Sequence, residues 1–105
     1  MPMNRHDIIR LLAARADELA RFGVRSLALF GSAARDDATP GSDIDLLVEF
    51  EGVATFDRYV ELGFYLEELL GCSVDLVTRR SLSPSLRALI EKDLRYVPGL
   101  STVPG

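Results

Sequence analysis

Several common chemistries are closed to this chain by what it lacks. Cys72 is its only cysteine, so neither an intrachain disulfide nor a cysteine-based zinc site can form. Its expected place is a small core position beside a strand. The one histidine, His6, stands among polar residues near the N-terminus, where solvation is the expected role. Basic residues are outnumbered, 12 against 16 acidic, for a formal net charge of −4. There is therefore no general basic footprint for nucleic acid, and a polyphosphate ligand needs local help from metal ions, a helix N-terminus or a few arginines. No long apolar run follows the polar residues 3–7, so no signal peptide or membrane span is expected, and cytoplasmic residence is the default expectation. Internal repeats and long linkers are also missing.

What remains is a soluble globular profile. Hydrophobic residues make up 48% and charged residues 27%, enough apolar material for one modest core in 105 residues. The expected organisation is one domain over residues 1–97. Residues 98–105, drawn largely from Pro, Gly, Ser and Thr, are expected to form a flexible tail.

Apolar spacing orders the elements. Asn4 caps a first helix, with Ile8, Leu12, Ala16 and Leu19 on one face and Gly23 just past its end. Residues 24–30 read as a first strand that stops abruptly at Gly31-Ser32. Residues 33–37 suit a short helical turn, and Thr39-Pro40-Gly41-Ser42 is turn chemistry. A second strand over 43–50 puts Ile44, Leu46, Val48 and Phe50 on one face, with Asp43 and Asp45 opposite. A second long helix over 55–70 aligns Phe56, Tyr59, Gly63, Leu66 and Leu70, and Gly71 ends it. Residues 73–78 are short and β-branched, a third strand. Ser83 and Pro84 start a last helix, docked by Leu86, Leu89, Ile90 and Leu94. Tyr96 fits either a core-closing or a surface position. The sum is an α/β (α+β) fold, a small mixed sheet of about three strands packed with helices. Spacing alone leaves strand polarity open.

Chemistry concentrates at two places. Residues two apart on a strand point the same way, about 6.5–7 Å apart at Cα, so Asp43 and Asp45 repel one another unless cations lie between them. Hard Mg²⁺ accepts such oxygen ligands and leaves coordination positions for phosphates; two ions about 3.5–4 Å apart would polarise an attacking and a leaving oxygen. Asp75, near the start of the third strand, reaches the same ions if the two strands are neighbours, and there can help deprotonate an acceptor hydroxyl. Gly31 and Ser32 supply the second place. Glycine allows close approach of backbone to phosphate, the short helix behind it offers unpaired N–H groups, and the Ser32 hydroxyl adds one bond. Arg35, one turn on, can pair with a triphosphate. Arg79 and Arg80 form a charged loop that can also face a nucleotide or an acidic partner.

Leu29-Phe30-Gly31-Ser32-Ala33-Ala34-Arg35 followed by Ser42-Asp43-Ile44-Asp45-Leu46-Leu47-Val48 resembles the signature of the DNA polymerase β-like nucleotidyltransferases, and within them the minimal nucleotidyltransferase (MNT, MntA-like) proteins. The resemblance runs from about residue 24 to 97. It implies metal-dependent transfer of a nucleoside monophosphate, AMP from ATP or another NTP, with pyrophosphate leaving. It assigns Gly31 and Ser32 to phosphate and Asp43, Asp45 and Asp75 to metal. It also implies a HEPN-domain toxin as partner, with the MNT protein as antitoxin attaching AMP to a tyrosine hydroxyl in a hetero-oligomer. One departure stands out: many relatives have glycine after the arginine, whereas this chain has Asp36-Asp37, which are expected to face solvent. Other readings are a non-catalytic module that neutralises a HEPN partner by binding, which retention of three acids disfavours, and a small-molecule nucleotidyltransferase, which would need a further helical domain for its acceptor.

Overall fold

The computed structural model describes residues 4–36, 41, 43–53 and 55–100. The expected 39–42 turn and Asp37 fall largely outside these residues.

The chain opens with helices α1 (Arg5–Ala14) and α2 (Ala16–Arg21). Asn4 caps the first through a bond from the Asp7 N–H, 2.8 Å long. A single helix was expected here. At Arg15 the backbone leaves helical geometry (φ −108°, ψ 20°), without a glycine or proline that would signal the break in sequence. Strand β1 (Val24–Phe30) leads directly into α3 (Gly31–Ala34), two residues earlier than spacing suggested. Strand β2 (Ile44–Phe50) follows, then helix α4 (Phe56–Leu70), capped by Thr55 and ended by left-handed Gly71. Strand β3 (Val74–Thr78), a 3₁₀ turn (Arg79–Ser81), helix α5 (Pro84–Ile90) with Ser83 as its cap, a second 3₁₀ turn (Glu91–Asp93) and strand β4 (Arg95–Tyr96) complete the order.

The sheet has four strands rather than three, in the order β3-β2-β1-β4. β1 pairs antiparallel with β2 and β4, and β2 pairs parallel with β3. The parallel pair is joined by α4, the crossover such a pair requires. β4 escaped sequence reading because two residues, one of them arginine, carry no alternation. Its position is fixed by Ala28 opposite Tyr96 and by the Val97 N–H donating to the Leu27 carbonyl at 2.9 Å.

Alternation divides the sheet into two faces. Leu27, Leu29, Ile44, Leu46, Val48 and Leu76 point to one side, where they bury Ile8, Leu12, Leu19, Leu62, Leu66 and Leu70 of α1, α2 and α4. Leu100 is buried in this same core, and Gly99 packs close to Ala16. Packing therefore continues past Val97; residues 101–105 lie outside the description. Ala28, Leu47 and Val77 point to the other side and meet Leu82, Ile90 and Leu94. Two docking expectations are corrected. Phe56 is exposed, and Leu62 rather than Phe56 completes the inner stripe of α4. Leu86 and Leu89 of α5 are also exposed, because that short helix touches the sheet only through its end at Ile90 and the following Leu94.

Candidate active site

The carboxylates meet at one end of the second sheet face. Parallel pairing sets Asp45 opposite Asp75, and antiparallel pairing sets Phe30 opposite Asp45. Strand adjacency, which spacing left open, is thus supplied by the fold. Asp43 stands just ahead of β2, exposed, as is Asp75; Asp45 is partly buried.

These three acids interact. The Asp45 carboxyl is raised above the ordinary carboxylate range, first by burial and then by the negative charges of Asp75 and Asp43. A hydrogen bond with the Asp75 side chain adds to the shift, and the positive charge of Arg35 opposes it. Carboxylates crowded in this way share what positive charge they can reach. A hard divalent cation suits the donor set, since all three side chains offer only oxygen. Among the described residues, no group of three or more His, Cys, Asp or Glu side chains is placed to hold a metal ion by itself. Mg²⁺ sites of this kind are commonly completed by substrate phosphates and water, so an open arrangement is compatible with the chemistry.

Gly31 forms the opposing wall. Its φ is +71°, in the left-handed region, and a Cβ built there would lie 2.1 Å from Oδ2 of Asp45. Both the turn and the close approach therefore require glycine. The chain leaves β1 through this residue, and α3 starts beside the Asp45 carboxylate. Ser32 is half-buried in the first turn of α3, where backbone N–H groups lack intrahelical acceptors.

Arg35 is placed differently from a simple phosphate ligand. Its Nη1 donates to Oδ2 of Asp93 at 3.0 Å, tying the end of α3 to the second 3₁₀ turn. Its charge still acts on Asp45. Asp93 carried no motif, and its pairing with Arg35 across 58 residues has no local signature. Asp36 has φ +60°, the conformation that favours glycine, and the expected exposure. Asp tolerates this region better than most residues. Its Oδ1 accepts from the Arg5 N–H at 2.7 Å, while the Arg5 guanidinium donates to the Ala34 carbonyl at 2.9 Å. Asp36 and Arg5 thus anchor α1 to the α3 turn.

Cys72 is half-buried against the main core. Its thiol is pushed up by burial and by the nearby charges of Asp43 and Glu67, which makes it a weak nucleophile. Arg79 lies at the other end of this sheet face, where its Nη2 donates to the Tyr96 hydroxyl at 2.7 Å.

Known proteins resemble this chain in sequence and fold. The family model for the nucleotidyltransferase domain matches residues 9–97. A Methanocaldococcus jannaschii protein provisionally named a protein adenylyltransferase is 48% identical over 80 residues, covering 73% of this chain and 80% of its own. The protein adenylyltransferase MntA of Thermococcus cleftensis is 41% identical over 92 residues, covering 87% of this chain and 93% of its own. A solved structure described as a minimal nucleotidyltransferase superposes with a TM-score of 0.70 at 38% identity, covering 89% of this chain and 95% of its own. A tri-AMPylated Shewanella oneidensis HEPN toxin in complex with MNT antitoxin matches with a TM-score of 0.60 at 25% identity, over 85% of this chain and 71% of the other. A toxin–antitoxin structure with AMP-PNP gives a TM-score of 0.63 at 25% identity, over 90% of this chain and 73% of the other.

Proposed function

The chain belongs to the nucleotidyltransferase domain family and is an enzyme of that class, and from that premise we propose that it transfers AMP from ATP to a hydroxyl of a HEPN-domain partner protein, as the antitoxin of a toxin–antitoxin pair. One observation carries the proposal: the register that sets Asp45 beside Asp75, with Gly31 pressed against the same carboxylate. The relatives named as protein adenylyltransferases and the AMPylated HEPN complex support the choice of substrate and partner.

The residues would divide the work as follows. Gly31, Ser32 and the first N–H groups of α3 cradle the triphosphate. Asp43 and Asp45 hold Mg²⁺, with Asp75 completing the set on the acceptor side. Bound there, Mg²⁺ supplies the charge neutralisation that lets a triphosphate approach three acids and polarises the reacting oxygens. The acceptor hydroxyl oxygen forms a bond to the α-phosphorus, the bond from that phosphorus to the bridging oxygen breaks, and pyrophosphate departs. Asp75 receives the hydroxyl proton. Little covalent work falls to the protein, so positioning and charge dominate. No helix among the described residues is long and apolar enough to cross a membrane, and we place the reaction in the cytoplasm, where ATP and Mg²⁺ are available.

The test is intact-mass analysis of the purified HEPN-domain partner after incubation with the protein, ATP and Mg²⁺. A mass gain of one or more AMP groups is expected with the wild type and none with Asp43→Asn/Asp45→Asn. Equal modification by both, or no modification by the wild type, overturns the proposal. If the variant still neutralises the partner without modifying it, neutralisation proceeds by binding alone.

A further inference from the structure

Helix α4 has an outward face that the catalytic reading does not use. Its inner stripe, Leu62, Leu66 and Leu70, is buried on the sheet. A surface helix ordinarily turns polar residues outward. Here Phe56 is 78% exposed and Phe64 68% exposed. Val60 lies four residues from each, so the three line up along one side over about 12 Å. Val53, 81% exposed, stands just before the helix.

Charge beside this stripe is all of one sign. Asp57, Glu61 and Glu68 are exposed and fall in a row alongside Val60 and Phe64. The helix has one basic residue, Arg58, and it is turned away towards Gly23: a Cβ on that glycine would lie 2.7 Å from Arg58 Nη1. Exposed phenylalanines flanked by acids mark an interaction surface more readily than a solvated face. Its chemistry also selects the occupant. A second copy docked by the same face would bring another acidic row to the contact, and like charges across an interface oppose association. Anionic lipid headgroups meet the same objection. A protein groove lined with apolar side chains and rimmed by Arg or Lys satisfies both the stripe and the row.

We propose that Phe56, Val60 and Phe64 form the docking surface for the protein partner, which presents an apolar groove bordered by basic residues. This rests on the reading above that the chain acts on a HEPN-domain protein. It adds a geometric consequence. Asp45 and Asp75 project from the sheet face opposite α4, so the sheet lies between the docking surface and the reacting centre. The acceptor hydroxyl therefore arrives on a segment that reaches round the sheet edge, or from another copy of the partner in the same complex.

The test measures binding of the purified HEPN product to the wild type, Phe56→Ser/Phe64→Ser and Asp45→Asn by calorimetry. ATP·Mg²⁺ binding, followed by thermal shift, serves as the control for folding. The double variant should bind the partner at least about 30-fold more weakly, the scale expected when aromatic anchors leave an interface centre, while binding ATP·Mg²⁺ normally. Asp45→Asn should bind the partner like wild type. Unchanged partner binding by the double variant overturns the docking surface and leaves the transfer reading standing. A wild-type dimer that the double variant dissolves overturns it in favour of a second copy. Failure of the wild type to bind the HEPN product instead removes the partner assignment, and the docking proposal falls with it.

Discussion

At the scale of single residues, the site is a balance between Asp45 and what surrounds it. Asp75, Asp43 and burial all oppose its charge, and nothing in the fold requires three acids there. Removing one charge should therefore help the bare protein and ruin the enzyme. Asp45→Asn is expected to melt at a higher temperature than wild type in EDTA, yet to lose about 100- to 1,000-fold in transfer rate, the order seen when a preorganised charge-stabilising group is lost. Melting curves in EDTA and a transfer assay decide this; a lower melting temperature would contradict the repulsion argument.

Gly31 gives a second expectation at this scale. Alanine there must hold φ near +71° and place Cβ against the Asp45 carboxylate. The left-handed conformation alone costs about 1–2 kcal/mol. Gly31→Ala should thus destabilise by at least about that amount in denaturant titration and weaken ATP·Mg²⁺ binding. Gly52, also at positive φ but with open space around its Cβ position, is the control: Gly52→Ala should cost stability without affecting ATP.

At the scale of elements, what could be read in sequence depended on how local the signal was. Strands β1 and β2, the Asn4 and Ser83 caps and the Gly71 stop are written in neighbouring residues and appear where alternation and capping place them. Asp43, Asp45, Gly31 and Ser32 were legible for the same reason, as one motif. The neighbouring position of Asp75 was a matter of pairing, which parallel register supplies. The break at Arg15, strand β4 and the Arg35–Asp93 pair depend on distant contacts and leave no local trace. The exposed Phe56 shows a further limit. Helical spacing identifies residues that share a face, but α4 has apolar residues on two sides, and only the fold shows which is covered.

A contact between elements also has a measurable consequence. Tyr65 of α4 stacks obliquely on Phe22, ring centroids 5.0 Å apart, and its hydroxyl donates to Glu18 of α2. Burial, then that bond and the Glu18 charge, push the phenol up to about 12. A raised phenol favours folding fully below its unfolded value near 10, and this contribution is lost as pH rises from there towards 12. Phenolate absorbance, taken as wild type minus Tyr65→Phe, should show Tyr65 titrating near 12. Glu18→Gln should bring it down. A Tyr65 titration unmoved by Glu18→Gln would show that the α2–α4 bond does not form.

At the scale of the whole molecule, the sheet has two working sides. One is filled by α1, α2 and α4 and holds the core. The other carries the carboxylates at one end and a small apolar cluster beyond them. Under the proposed function, acceptor specificity falls to whatever docks on the surface, while the chain supplies the carboxylate cluster and the Gly31 turn beside it. The central claim is that the group moved is the nucleotide rather than the terminal phosphate. ATP labelled at the α-phosphorus or at the γ-phosphorus, incubated with the protein, Mg²⁺ and the HEPN partner, separates the two directly. The account predicts that α-label is retained on the partner while γ-label leaves as pyrophosphate. Retention of γ-label on the partner would contradict it.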